Sequence, residues 1–100
     1  MRRGTTPTHT FNLPFDMSAV SNVRIIYAQG SNVVLTKEKS DCECDGNTIS
    51  FKLTQEETFL FDCGRNADVQ VRVLTAAGDS LASDIHKISI ATCLDNGVLE

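Results

Sequence analysis

Four cysteines carry the most obvious chemistry in this chain: Cys42, Cys44, Cys63 and Cys93. Thiolates bind zinc, but structural sites usually separate paired cysteines by roughly two to four residues, and a single residue separates Cys42 from Cys44. A second interpretation is a disulfide from either member of that close pair to Cys63 or Cys93. We favour reduced, metal-free thiols, because nothing in the sequence indicates an oxidising compartment.

Two histidines and two adjacent glutamates are the other candidates for catalysis. His9 and His86 match neither metalloprotease nor zinc-finger spacing, and no local signature pairs either of them with a cysteine nucleophile. Glu56 and Glu57 are neighbours, so their carboxyl groups face apart, and we expect them at the solvated start of a helical turn. We therefore predict a protein that is not an enzyme, without catalytic, cofactor-binding or metal-binding residues.

The elements that position these residues follow a period of two, which indicates β-strands. The alternating segments are 9–15, 23–27, 33–35, 49–53, 69–73 and 86–90. Residues that favour turns separate them, as in all-β sandwiches and barrels. We predict an all-β fold, an antiparallel β-sandwich of about seven strands. Its expected core is Phe11, Ile25, Phe51, Leu53, Val71, Val73, Ile88 and Ile90.

Four local patterns refine this prediction. Pro14 cannot donate to a strand ladder, so the first strand must be an edge strand there or bend. Asp16 is a suitable N-cap for one helical turn. Thr54 and Glu57 have the spacing of a capping box, which predicts a short helix between the two sheets. Residues 81–88 fit a helix or a strand, and their continuation into Ser89-Ile90-Ala91 favours the strand.

Composition limits the class of protein and of partner. The chain has 100 residues, 9 Lys and Arg against 13 Asp and Glu, and a formal net charge of -4. This length suits one domain over residues 1–100, and the acidic balance disfavours nucleic acid. No apolar run approaches the roughly 20 residues that cross a bilayer, and no apolar signal stretch follows Met1–Gly4, so we expect neither membrane nor export. Leu99-Glu100 matches the scar that expression vectors leave before a purification tag.

Five phrases, spread over nearly the whole chain, carry a resemblance to a family. They are Arg2-Arg3-Gly4-Thr5-Thr6-Pro7-Thr8, Phe11-Asn12-Leu13-Pro14-Phe15-Asp16, Leu53-Thr54-Gln55-Glu56-Glu57-Thr58, Val69-Gln70-Val71-Arg72-Val73-Leu74 and Gly78-Asp79-Ser80-Leu81-Ala82-Ser83. In this order they resemble small proteins encoded in prophages of gut Firmicutes. More distantly, they are similar to the N-terminal domain of siphophage upper-baseplate proteins.

This resemblance implies an immunoglobulin-like β-sandwich that serves as a non-enzymatic building block of a virion, in the tail or baseplate. Its partners would be other phage structural proteins or further copies of itself. Its location would be the host cytoplasm during assembly and then the virion. The Cys42-Glu43-Cys44 pair lies outside the pattern, which further weakens a metal site.

The first seven residues are the candidate assembly segment. They are rich in threonine and poor in apolar residues, which suits a flexible arm that orders on a neighbouring sheet edge by strand pairing. The alternative is a frayed terminus with solvated arginines. The candidate arm residues are Arg2, Arg3, Thr5, Thr6 and Pro7.

Two other classes of function are weaker hypotheses. A cell-surface or glycan-binding β-sandwich module needs exposed aromatic rings, but the chain has no Trp, and its single Tyr, Tyr27, falls on an inward face. A hydrolase is the more distant alternative, because no catalytic motif supports it. We therefore predict assembly rather than turnover.

Overall fold

The computed structural model describes residues 1–83, 85–95 and 97–100. Along this part of the chain, eight strands and one short α-helix alternate with two 3-10 turns. They are β1 Thr8–Asn12, the turn Met17–Ala19, β2 Val20–Gln29, β3 Asn32–Glu38, the turn Lys39–Asp41, β4 Glu43–Asp45, β5 Thr48–Lys52, α1 Gln55–Phe59, β6 Asn66–Thr75, β7 Ser80–Ala82 and β8 His86–Ser89. No helix within the described ranges has the length and hydropathy that a membrane span requires.

The strands form two antiparallel sheets, as the period of two predicted. The smaller sheet has three strands in the order β1-β5-β4, and the larger has five, with β3-β2-β6-β7 in a row and β8 also paired with β6. β7 and β8 thus pair with successive parts of one long strand. Instead of about seven strands there are eight in the described part of the chain. β4 and β7 have three residues each and bury no side chain, so apolar alternation did not predict them.

Side chains from both sheets form one hydrophobic core, in keeping with a β-sandwich. The prediction is confirmed for six of its eight residues, which are buried: Ile25, Phe51, Leu53, Val71, Val73 and Ile90. Phe11 and Ile88 are only partly buried and pack against this core. Tyr27 faces inward as expected, and Phe61, which the pattern did not predict, is fully buried beside it.

The structure confirms both predicted caps and the edge strand. Thr54 and Glu57 form the capping box of α1, and Asp16 caps the turn Met17–Ala19 by accepting a hydrogen bond from Ser18. β1 is an edge strand that ends at Asn12, before Pro14. The strand prediction for residues 81–88 is confirmed by β7 and β8, while Asp84 lies outside the described residues.

The face assigned to β3 is the clearest error in the strand prediction. The alternation puts Val33 on one face with Leu35, but the Val33 side chain is 64% exposed, whereas Leu35 is partly buried and packs against the core. Tyr27 pairs with Leu35 while Ala28 pairs with Val33, so β3 holds one extra residue in a β-bulge. An extra residue reverses which side chains face inward, and nothing in the local alternation reports it.

Candidate assembly site

The predicted arm lies against its own chain and forms a single β-bridge at the edge of the larger sheet. The Met1 nitrogen donates to the Ser89 carbonyl over 2.7 Å, and the Met1 carbonyl accepts from the Ala91 N–H over 2.7 Å. The Arg3 N–H donates to the Ala91 carbonyl over 3.1 Å. Arg2 and Ala91 therefore form a parallel bridge, which extends the sheet just beyond β8.

Gly4 and Thr5 continue across the end of α1, where both lie within hydrogen-bond distance of the Thr58 hydroxyl. The Gly4 N–H donates to Thr58 Oγ1 over 2.9 Å. The same hydroxyl lies 3.2 Å from the Thr5 carbonyl and 2.9 Å from the Gln55 carbonyl, and its single proton serves one of them at a time. Thr58 is fully buried, so its hydroxyl depends on these protein partners.

The arginine side chains fix the segment on both sides. The Arg3 guanidinium lies 5.4 Å from the centre of the Phe59 ring, and its Nη2 donates to the Phe59 carbonyl over 3.3 Å. Arg2 Nη1 donates to the Thr92 carbonyl over 2.5 Å. Both arginines therefore bind groups of their own chain, Arg2 through a carbonyl and Arg3 through a carbonyl and a ring face.

Gly4 fits a position that other residues would not. Its φ is +80°, a conformation that favours glycine, and a Cβ there would lie 2.9 Å from Phe59 Cζ. The same Cβ would lie 3.6 Å from Cys93 Sγ. The segment thus passes close to the Phe59 ring and the Cys93 thiol.

The remaining candidate residues lead the chain to the other sheet. Thr5 Oγ1 donates to the Arg2 carbonyl over 2.6 Å, and the side chain of Thr6 is exposed. The Pro7 carbonyl accepts from the Leu53 N–H over 2.9 Å and so begins the pairing of β1 with β5.

We call residues 1–7 the N-terminal segment, and Thr58, Phe59 and residues 89–92 the docking site. The structure brings Arg2, Arg3 and Thr5 together at this site, whereas Thr6 is exposed and Pro7 pairs with Leu53 at the other sheet. The segment contributes no residue to the buried core, although Met1 is partly buried and packs against it. Its flexibility and its ordering on a neighbour stay predictions.

His9 belongs to an aromatic cluster between the sheets. Its Nδ1 lies 2.5 Å from Tyr27 Oη, and its ring lies 5.9 Å from that of Phe51. Burial, and secondarily the charge of the N-terminal amine, lowers the pKa of His9. Burial also raises the pKa of the Tyr27 hydroxyl, so both side chains stay neutral around pH 7. His86 lies on β8 and is exposed.

The four cysteines occupy separate environments. Cys44 and Cys63 are exposed, Cys42 and Cys93 are half-buried, and all four are free thiols. Burial, together with the charges of Cys44 and Asp41, raises the pKa of Cys42 to about 11, so this thiol stays protonated. Within the described ranges, no group of three or more His, Cys, Asp or Glu side chains is placed to hold a metal ion. The redox state of the thiols in the cell stays a prediction.

Glu57 is not the solvated side chain that its sequence position indicated. Its Oε2 lies 2.5 Å from Lys37 Nζ, and the two side chains are only 19% and 15% exposed. Its Oε1 accepts from the Thr54 N–H over 2.9 Å. Burial raises the pKa of Glu57, but the bonds from Lys37 and Thr54 outweigh burial, and the net shift is downward. Glu57 thus ties α1 to β3, while Glu56 is exposed as expected.

Comparison of the chain with protein-family models, with curated proteins and with solved structures gave no match. The functional argument therefore depends on the geometry of the N-terminal segment and on the resemblance carried by the five phrases. Sequence reasoning identified the segment but missed its docking site. The only local signal was the capping box that begins the helix leading to Thr58.

Proposed function

We propose that this chain is a non-enzymatic structural protein of a phage or prophage particle, a tail or baseplate component that acts through protein–protein assembly. The observation that carries the proposal is the parallel pairing of Met1–Arg3 beyond β8. An extended segment held at a sheet edge by main-chain bonds is the kind of element through which β-domains join one another. The resemblance to prophage proteins points to the particle in which such joining occurs.

The strand order supports the immunoglobulin-like part of the proposal. Immunoglobulin domains place strands A, B, E and D in one sheet and C, F and G in the other, with C′ added beside C in variable domains. The order β1-β5-β4 corresponds to B-E-D, and β3-β2-β6 followed by β7 and β8 corresponds to C′-C-F-G. The N-terminal segment then takes the role of a short strand A that has moved to the edge of G.

An exposed apolar pair offers a further contact surface. Val33 and Leu60 are 64% and 57% exposed, and both line one shallow cleft together with Arg65. Arginine is enriched at protein interfaces, and the two exposed apolar side chains beside Arg65 add contact area that a partner could cover. This cleft lies at the turn between β2 and β3, so one molecule can contact separate neighbours through the cleft and through its N-terminal segment.

A glycan-binding module finds less support in the same surface. Such sites stack sugars on exposed aromatic rings. Tyr27, the only tyrosine, is fully buried, and the sequence has no tryptophan.

The test is to locate the chain in particles released by an induced culture of the strain that carries its gene. Particles are separated on a density gradient, and mass spectrometry quantifies this chain and the tail proteins in each fraction. We expect the chain to co-migrate with tails at a constant molar ratio, because a structural component has a fixed copy number. A cytosolic protein of similar size is the control for carry-over. Finding the chain only in the unsedimented fractions would refute the proposal.

A further inference from the structure

We propose that the docking site of one copy binds the N-terminal segment of a second copy, so that chains associate by strand exchange. The inference deepens the proposed function and rests on it only for the use of the exchange, because the exchange is a property of the isolated chain. The occupant is a second copy of this protein, and the exchanged residues are 1–5.

Binding of the segment to a second copy can use the same hydrogen bonds that hold it within one chain. The docking site recognises Met1, Arg3 and Gly4 mainly through backbone atoms, at Ser89, Ala91 and Thr58 Oγ1. A second copy presents the same atoms in the same order, so every bond made within one chain can be made between two. Exchange of an identical element is for this reason a low-cost route to association.

In the described part of the chain, the core contacts the N-terminal segment only through the partly buried Met1. Each fully buried hydrophobic side chain that the structure describes lies at position 13 or later, and only Met1 of the segment packs against this cluster. Release of the segment therefore leaves the core in place. It also unpairs backbone groups of Ser89 and Ala91, which again need a strand beside them.

The connection to β1 is short and stiff, so its length decides whether docking within one chain is strained. Thr6 and Pro7 join the docked residues to β1, and the Thr6 side chain is exposed. Proline fixes its own φ near -65° and biases the preceding residue toward extended backbone. Because this connection is short and stiff, a change in its length strains docking within one chain but not docking between two chains.

Charge favours a second copy over an unrelated basic partner. The chain has a net charge of -4, although Arg2 and Arg3 contribute two positive charges to the segment. The body without the segment is therefore more acidic than the whole chain. A cationic segment approaching an acidic body is attracted over the range of the Debye length, and salt weakens this attraction.

The test varies the length of the connection in the full chain. Deletion of Thr6 shortens it, insertion of Gly-Ser-Gly-Ser after Thr6 lengthens it, and the same insertion after Gly78, in the turn between β6 and β7, is the matched control. Light scattering after size-exclusion chromatography gives the dimer dissociation constant, and native mass spectrometry of mixed isotope-labelled and unlabelled chains reports exchange. Amide hydrogen exchange at Ala91 shows whether the docking site is filled.

We expect the deletion to lower the dimer dissociation constant at least tenfold, because docking within one chain becomes strained while docking between chains does not. The longer connection should raise it at least tenfold, and the control should match the wild type. Mixed-label dimers should form with Ala91 protected. A Thr6 deletion that stays monomeric and leaves Ala91 unprotected would overturn the inference. If that variant does not fold, equal dimer dissociation constants for the wild type and the lengthened chain would overturn the inference.

This outcome is separable from that of the proposed function. Failure of exchange in purified protein leaves the particle measurement untouched, since assembly can use the cleft at Val33 and Leu60. Absence of the chain from particles leaves exchange between copies standing as a property of the purified chain.

Discussion

The two sheets are joined in two physically different ways. Between them, aromatic rings pack in the interior, with Tyr27 lying 6.3 Å from Phe51 and 5.7 Å from Phe61 in edge-on contacts. At the N-terminal end, the segment reaches from the edge beyond β8 to β1, and backbone hydrogen bonds and arginine contacts hold it. The interior junction depends on burial, whereas the N-terminal junction depends on directional bonds near solvent.

The interior junction therefore stabilises the fold, whereas the hydrogen bonds of the N-terminal junction can also form with another copy of the chain. Burial of rings is lost only when the sheets part, so the interior junction opens with global unfolding. Strand pairing at an edge can open locally and reform on an identical edge. The predictions below test whether the two junctions are as independent as the structure indicates.

The largest effect is expected in the interior. Phe61→Ala removes a fully buried ring, and the free energy of unfolding should fall by about 3–5 kcal/mol, measured by urea denaturation followed by circular dichroism. Leu94→Ala, at a fully exposed side chain, is the control and should stay within about 0.5 kcal/mol of wild type. A loss below about 1 kcal/mol for Phe61→Ala would mean that the interior junction is not based on ring burial.

A smaller and more local effect is expected at the docking site. Thr58→Val keeps the shape of the side chain but leaves the Gly4 N–H without its acceptor, at a cost of about 1–3 kcal/mol. Amide exchange should accelerate most at Gly4 and Ala91, whereas amides of β2 and β6 should change only with global stability. Thr36→Val, at an exposed position on β3, is the matched control. Uniform acceleration across all amides would show that the junctions are not independent.

The pH dependence of stability should identify His9. Because burial lowers its pKa in the folded chain, stability is complete above its unfolded pKa of about 6.5 and declines as the pH falls through that value. The slope cannot exceed about 1.4 kcal/mol per pH unit for one proton. The dependence of the denaturation midpoint on pH between 5 and 8 should therefore be weaker in His9→Gln than in the wild type, and unchanged in His86→Gln. An unchanged slope in His9→Gln would assign the dependence to another group.

The smallest effect is expected for a surface ion pair outside both junctions. Arg24 Nε lies 2.7 Å from Glu38 Oε1, and the two side chains are 49% and 34% exposed. Arg24→Ala should cost about 0.2–1 kcal/mol, and less at high salt. Urea denaturation at low and at high salt measures both values. A larger, salt-independent loss would place part of the stability in β2–β3 pairing rather than in either junction.

Local rules explain what the sequence could predict. Ile25, Val71 and Val73 are buried because side chains alternate along any strand, and Thr54 caps α1 through residues three positions away. Val33 does not follow this alternation, because one inserted residue in β3 reverses the faces of the residues beyond it.

Contacts between distant parts of the chain were beyond those rules. The Glu57 partner, Lys37, lies on another strand, so spacing within the helix could indicate a cap but not an ion pair. The docking site joins residues 88 positions apart at Met1 and Ser89 and 54 apart at Gly4 and Thr58. A pattern of neighbouring residues carries no information on such pairs. The composition of the segment indicated an arm for a neighbouring sheet edge or a frayed terminus, and its place on its own chain depends on tertiary structure.

Because Gly4 lies close to Cys93, the reactivity of the Cys93 thiol should report when the N-terminal segment opens. A Cβ at position 4 would lie 3.6 Å from the sulfur, so the docked backbone shields a thiol that is only half-buried. A thiol reagent should modify the exposed Cys44 and Cys63 fast and Cys93 more slowly, with reaction at Cys93 accelerating whenever the segment departs. Peptide-resolved labelling over time would therefore set an upper limit on the opening rate in the unaltered chain, without any introduced probe.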